Sequence, residues 1–228
     1  MNEAKPLYLI AGGFGRGIQD VLKQMGQGLA QAGRQAPSVA YLGVASDDDR
    51  AFFASIKAML VKAGAGTVVM PRLATLHPDV DKARETIAAA DVVFISGGEV
   101  EDGISWLDKA GLRDFLRQQY EAGKPFMGLS AGTIMMGRHW VHWDIPDDNG
   151  TASLFDCLGF APYTFDTHAE SEDWVELRTA VRLMGDGSVG YGIRSNTMVV
   201  VDRDGRMTAD KPPVACVNQA GRITYLPD

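Results

Sequence analysis

Short apolar runs recur along the first half of the chain, each closed by glycine or a polar turn. Leu7-Tyr8-Leu9-Ile10-Ala11 ends in Gly12-Gly13, and further runs occupy 38–44, 67–70 and 91–95, the last ending in Ser96-Gly97-Gly98. Between them the apolar positions move to helical spacing, over 18–31, from the cap candidates Ser46-Asp47-Asp48-Asp49 to 63, over 79–90, and over 103–120 with a break near Gly111. Strands that are apolar on both faces and alternate with helices predict an α/β fold, a mostly parallel sheet with helices on both faces. Past 160 the pattern changes. A strand and loop are expected over 162–170, and a pair of strands over 187–202 with Ser195-Asn196-Thr197 at the bend. An antiparallel hairpin closing around Gln219-Ala220-Gly221 is expected at the C-terminus. The stretch 138–151, rich in Asp, His and Trp, reads as irregular, the kind of segment that builds pockets. No repeat, low-complexity tract or linker interrupts the pattern, so a single domain over 1–228 is predicted.

Composition narrows the class. With 228 residues, 46% of them hydrophobic, the chain can bury one sizeable core. The net charge of −7 and the lack of a basic block exclude nucleic acid as the expected partner. Cys157 and Cys216 are far apart and read as reduced, buried thiols. No run approaches the ~18 apolar residues of a membrane span, and the first residues carry no leader pattern, so a cytoplasmic setting without membrane contact is expected. No cysteine or histidine spacing suits a metal, and no cofactor is implied. A homodimer is the ordinary expectation for oligomeric state.

The chemistry concentrates at Gly128-Leu129-Ser130-Ala131-Gly132, a G-x-S-x-G with the short apolar run Lys124-Pro125-Phe126-Met127 before it and Thr133-Ile134-Met135-Met136 after it. Strand, serine, helix is the context of a nucleophile elbow, whose turn is tight enough to need both glycines. The helix N-terminus behind the serine offers free N–H groups to a developing oxyanion. A serine needs a base. Of the four histidines, His77 reads as structural and His139 and His142 as loop residues. His168 stands at the C-terminal end of a predicted strand, the edge where sites gather in parallel sheets, and is the base candidate. The acid stays open among Asp144, Asp147 and Asp148 on one side and Asp166, Glu170, Glu172 and Glu176 on the other. The N–H groups of Gly98 and Ala131 are candidates for an oxyanion hole. Gly12-Gly13-Phe14-Gly15-Arg16-Gly17 lacks the spacing of a dinucleotide-binding loop, and no acid ends the second strand.

Three blocks together resemble the peptidase E and cyanophycinase family of serine peptidases, which have a class I glutamine amidotransferase-like fold. They are Phe94-Ile95-Ser96-Gly97-Gly98-Glu99, the G-x-S-A-G at 128–132, and Phe165-Asp166-Thr167-His168, in the family's order. The resemblance implies Ser130 as nucleophile and His168 as base, and a small peptide as substrate. Asp144-Ile145-Pro146 resembles the family's Asp-x-Pro segment, which makes Asp144 the implied acid. Where the family carries a glutamate near the end of the domain, this chain has Arg194-Ser195. On specificity the residues pull two ways. Peptidase E reads an N-terminal aspartate through a basic pocket, for which Arg194, Arg16, Arg138 and Arg178 are candidates. Glu99, Glu101 and Asp102 beside the glycine pair point instead to a positive substrate group, and Asp166 is a further candidate for substrate binding. A non-catalytic binding protein on the same fold is the alternative. An amidotransferase subunit is disfavoured, because those enzymes carry cysteine at the elbow.

Overall fold

The computed structural model describes residues 5–13, 17–145, 148, 150–220 and 222–225. Five of the apolar runs become parallel strands of one sheet: β1 (Leu7–Ile10), β2 (Val39–Leu42), β3 (Val68–Val69), β4 (Val92–Ile95) and β5 (Phe126–Leu129), in the order β1-β5-β4-β2-β3. Every position of β2, β4 and β5 is buried, as unbroken apolar runs require of a sheet covered on both sides. Side chains alternate between faces. Ile10, Tyr41, Phe94 and Met127 pack against α1 (Ile18–Leu29) and α2 (Arg50–Lys62). Leu9, Leu42, Val93 and Phe126 face α3 (Val80–Ala89), α4 (Val100–Lys109) and α5 (Arg113–Glu121). Asp49 is the working cap of α2, accepting from the Phe52 N–H at 2.6 Å, and Asp79 caps α3 at 3.0 Å. Gly111, at φ 60°, makes the predicted break between α4 and α5. Beyond β5 lies the short α6 (Ala131–Met135).

The second half departs from the expected pattern in three places. The 138–151 stretch is not irregular. It supplies β6 (His139–Trp143), which pairs antiparallel with β7 (Ala152–Asp156). The two strands read at 187–202 do not pair with each other. The first, β9 (Val189–Ile193), joins a second sheet beside β8 (Thr164–Thr167), and the second, β10 (Met198–Val201), returns to run antiparallel to β1. The bend between them explains the divergence. Asn196 is left-handed at φ 61° and donates its N–H to the Gly12 carbonyl at 2.6 Å, while the Ala11 N–H reaches the Thr197 carbonyl at 3.0 Å. The chain is thereby tied across to β1. Short β11 (Met207–Ala209) extends the main sheet past β10. The second sheet runs β13-β12-β9-β8, and its β12 (Val214–Gln219) and β13 (Arg222–Tyr225) form the predicted C-terminal hairpin.

The third departure is α7 (Val175–Leu183), which packs on the second sheet. Its close approach depends on two glycines of β9. A Cβ at Gly192 would stand 2.5 Å from the Trp174 ring, and one at Gly190 2.7 Å from Leu177. Among the described residues no helix is long and apolar enough to cross a membrane.

Candidate active site

The C-terminal ends of β5 and β8 meet at the site. Ser130 follows β5 at φ 53° and ψ −123°, a conformation that costs a non-glycine residue free energy and persists only where surroundings enforce it. Three hydrogen bonds enforce it. The Ser130 N–H donates to the Ile10 carbonyl at 2.9 Å, and the Thr133 N–H donates to the Ser130 carbonyl at 2.8 Å. The buried Thr133 hydroxyl also donates to the Ile10 carbonyl, at 2.9 Å. The flanking glycines permit the turn. A Cβ at Gly128 would lie 2.7 Å from the Gly132 backbone, and one at Gly132 only 2.1 Å from the Ile95 carbonyl oxygen.

His168 follows β8 and is also left-handed, at φ 48°. Its N–H donates to the Ile193 carbonyl at 2.9 Å, so β9 fixes its backbone. The imidazole Nε2 stands 2.7 Å from Ser130 Oγ, the predicted nucleophile–base contact. Gly98 and Ala131 line the same cavity. Among the described residues neither of their N–H groups is spent on a protein acceptor. At Gly98 no other residue fits: φ is 139°, and a Cβ would lie 1.9 Å from the Ala45 carbonyl oxygen.

The acid implied by the resemblance is not brought to the base. The Asp144 carboxylate lies 3.2 Å from His142 Nε2, and His142 Nδ1 meets Glu101 at 2.7 Å. Held between two carboxylates, His142 has its pKa raised, first by Glu101 and then by Asp144. Among the described residues no carboxylate lies within salt-bridge distance of His168. Pro146 and Asp147 of the same segment, and Arg16, lie outside the described residues. At the position implied for a glutamate, Ser195 receives a carboxylate from elsewhere. Glu170, two residues past the base, accepts from the Ser195 N–H at 2.6 Å and the Ser195 hydroxyl at 3.1 Å. The only sequence sign of this was the crowd of acids flanking His168.

The cavity holds about 490 Å³, with Glu99 and Asp166 on its wall beside Ser130 and His168. Arg194 does not line it; its Nη1 donates to the Pro212 carbonyl at 2.5 Å, because β9 turns the side chain toward the segment before β12. Arg178 pairs with Asp173 at 2.5 Å, and Arg138 lines a different cavity. Asp166 is 2% exposed, and its Oδ1 accepts from the Thr167 N–H at 2.7 Å. Burial pushes its pKa up to about 8, with the charges of Glu176 and Glu172 adding to the shift and backbone N–H groups of Thr167 and Leu177 opposing it.

The model of peptidase family S51 matches residues 7–208. The chain belongs to peptidase family S51. Over 97 residues it is 31% identical to peptidase E of Shewanella amazonensis, covering 41% of this chain and 39% of that protein. Over 120 residues it is 28% identical to the pyridoxal 5'-phosphate synthase subunit PdxT of Geobacillus stearothermophilus, covering 52% and 56%. The chain thus spans about half the length of that curated relative. The crystal structure of a peptidase from an acI-B1 Actinobacterium superposes with a TM-score of 0.70 over 98% of this chain and 94% of that one, at 12% identity. The likeness is one of fold, the glutamine amidotransferase-like α/β architecture.

Proposed function

We propose that the protein hydrolyses a small peptide or amide through an acyl-enzyme on Ser130. The observation that carries this reading is the 2.7 Å contact between Ser130 Oγ and His168 Nε2 on a strained elbow open to a cavity. In this reading His168 Nε2 takes the hydroxyl proton as Oγ attacks the scissile carbonyl carbon. The C–O bond forms and the carbonyl π pair moves to oxygen. The N–H groups of Gly98 and Ala131 receive that oxyanion. Collapse expels the amine, which takes the proton from His168. Water, deprotonated by the same nitrogen, then attacks the acyl carbon and frees Ser130.

Two other readings are weaker. The PdxT likeness raises an amidotransferase subunit, but the elbow carries serine. Burial pushes Cys157 to about 12 and Cys216 to about 11, so neither offers a thiolate. A non-catalytic binding protein is favoured by one observation: among the described residues, no carboxylate is paired with His168. The test separates them. A fluorophosphonate probe is expected to label the wild type and not Ser130→Ala, and a dipeptide panel is expected to be cleaved only by the wild type. A folded wild type that neither labels nor cleaves would overturn the hydrolase reading in favour of the binding protein.

A further inference from the structure

The Gly97-Gly98 loop lies between the nucleophile and the turn after β2, and it is packed closely on both sides. A Cβ at Gly97 would stand 3.1 Å from the Ser130 Cβ, and one at Gly98 would meet the Ala45 carbonyl oxygen and, at 2.8 Å, the Ser46 nitrogen. Backbone bonds hold the loop at both ends. The Ser96 N–H donates to the Leu42 carbonyl at 3.0 Å, and the Glu99 N–H donates to the Ala45 carbonyl at 2.6 Å. A side-chain bond is added from within the core. Tyr41, on β2, is wholly buried, and its phenol donates to the equally buried Ser96 hydroxyl at 2.6 Å. The Ser46 hydroxyl is a second, lesser hydrogen-bonding neighbour of the same phenol. One phenol thus joins the residue before the glycine pair to the turn on which the pair packs. Its ring lies edge-on to Phe53 at 4.9 Å and stacked on Phe94 at 5.7 Å between centroids. Burial pushes its pKa up to about 12, so it stays a neutral donor. Ring packing alone would be met by phenylalanine. What the hydroxyl adds is the tie to Ser96.

We propose that Tyr41 is a positioning residue: through Ser96, its hydroxyl sets where the Gly98 N–H stands relative to Ser130. The proposal rests on the acyl-enzyme reading for what that N–H does, which is to receive the oxyanion. A hydrogen bond weakens steeply as its geometry degrades, so a slightly freed loop loses part of that stabilisation. Tyr41 does not line the cavity and acts only through the loop.

The test compares Tyr41→Phe, Ser96→Ala and the double variant in the full chain. For a dipeptide that the wild type cleaves, Tyr41→Phe is expected to lower kcat roughly tenfold with KM unchanged, a fraction of the about 10²–10³ that outright loss of an oxyanion donor costs. A peptide aldehyde probes the same hole. Ser130 Oγ bonds to its carbonyl carbon, the π pair moves to oxygen and the hydroxyl proton goes to His168, so its affinity should fall by the same factor. Melting temperature separates positioning from plain stability. Each single variant takes a partner from a buried hydroxyl and should melt lower, whereas the double variant removes both groups and should regain most of the loss. A kcat that stays low in the double variant supports the positioning role. An unchanged kcat in Tyr41→Phe, a rise in KM alone, or a kcat that recovers with the melting temperature in the double variant would overturn it. The Gly98 amide resonance gives a readout without turnover. It should shift in Tyr41→Phe more than that of Ala131, and an unmoved resonance also overturns the proposal. Fluorophosphonate labelling of the wild type reports on the hydrolase reading separately: an inert wild type with a shifted Gly98 resonance sinks that reading and supports the tie between Tyr41 and Gly98.

Discussion

At the scale of single residues, identical side chains take different roles according to what surrounds them. Asp144 and Asp166 are both carboxyl groups near the elbow, yet one is exposed and spent on His142 while the other is buried and faces backbone N–H groups of Thr167 and Leu177. If Asp144 serves only His142, Asp144→Asn should hydrolyse substrate at the wild-type rate. The same variant should lower the His142 pKa in an NMR titration, though less than Glu101→Gln does, because Glu101 is the larger cause of the raise. The pairing favours the imidazolium, so whatever it adds to stability is present below the ordinary 6.5 and fades as pH rises through the raised value. A loss of turnover in Asp144→Asn would restore it as the acid. Asp166 gives the opposite pH behaviour. Folded, it holds its proton to about 8; unfolded, it releases it near 3.8. Between those values the folded chain binds the extra proton, so its contribution makes stability fall as pH rises, and the slope ends above about 8. Glu172 and Glu176 sharpen the effect by repelling the ionised form. Asp166→Asn should therefore melt close to the wild type at pH 5 and above it at pH 8; an unchanged difference between the two pH values would refute the buried-proton account.

At the scale of elements, the site depends on two short loops being held left-handed, one after β5 and one after β8. The first is locked by β1 and the glycine pair, and it was legible because a G-x-S-x-G between an apolar run and a helix has few other uses. The second was legible only in part. His168 stood out at a strand end, but what steadies it comes from 193–195, a segment read as the bend of a hairpin. β9 and β10 look alike as apolar runs, and no local pattern tells that one belongs to each sheet. α7 escaped notice for a similar reason: its N-cap, Trp174, is left-handed and makes no side-chain cap bond, so the usual start signal is missing. The β6–β7 hairpin hid because its residues are polar and aromatic rather than evenly alternating. Asp144 was drawn from a motif, and a motif does not say which histidine a carboxylate meets. The structure offers a substitute route to order at the base. Glu170 clamps Ser195, and Ile193 holds the His168 N–H, so both ends of the His168 loop are tied to one strand end. Glu170→Ala, which removes bonds to a charged group of about 1.5–3 kcal/mol, should lower kcat with little change in KM and slow fluorophosphonate labelling. Glu170→Gln should recover part of the loss. A drop in melting temperature with unchanged kcat would make Glu170 purely structural.

At the scale of the whole molecule, the cavity's sign agrees with the chain's. The net charge of −7 gives the protein a field that draws cations, and the acidic wall concentrates it beside Ser130. The fold itself is neutral on this point, since one fold can carry unrelated specificities, and this chain is similar in sequence to proteins as different in name as PdxT and peptidase E. Specificity therefore has to come from the side chains the frame carries, and here those are the carboxylates of α4, the 170–172 turn and α7 on the cavity wall. Two contributions can be separated by salt. Steering by the whole field acts on encounter and is screened over a Debye length of about 8–10 Å at ordinary ionic strength, whereas contacts inside the cavity are screened far less. For a lysyl substrate, kcat/KM should fall as sodium chloride is raised and then level off at a value still above that of the leucyl analogue. For the leucyl substrate it should stay flat. If the lysyl advantage vanishes entirely at high salt, the preference belongs to the surface field and not to contacts inside the cavity. If it does not move at all, the net charge plays no part and contacts inside the cavity alone select.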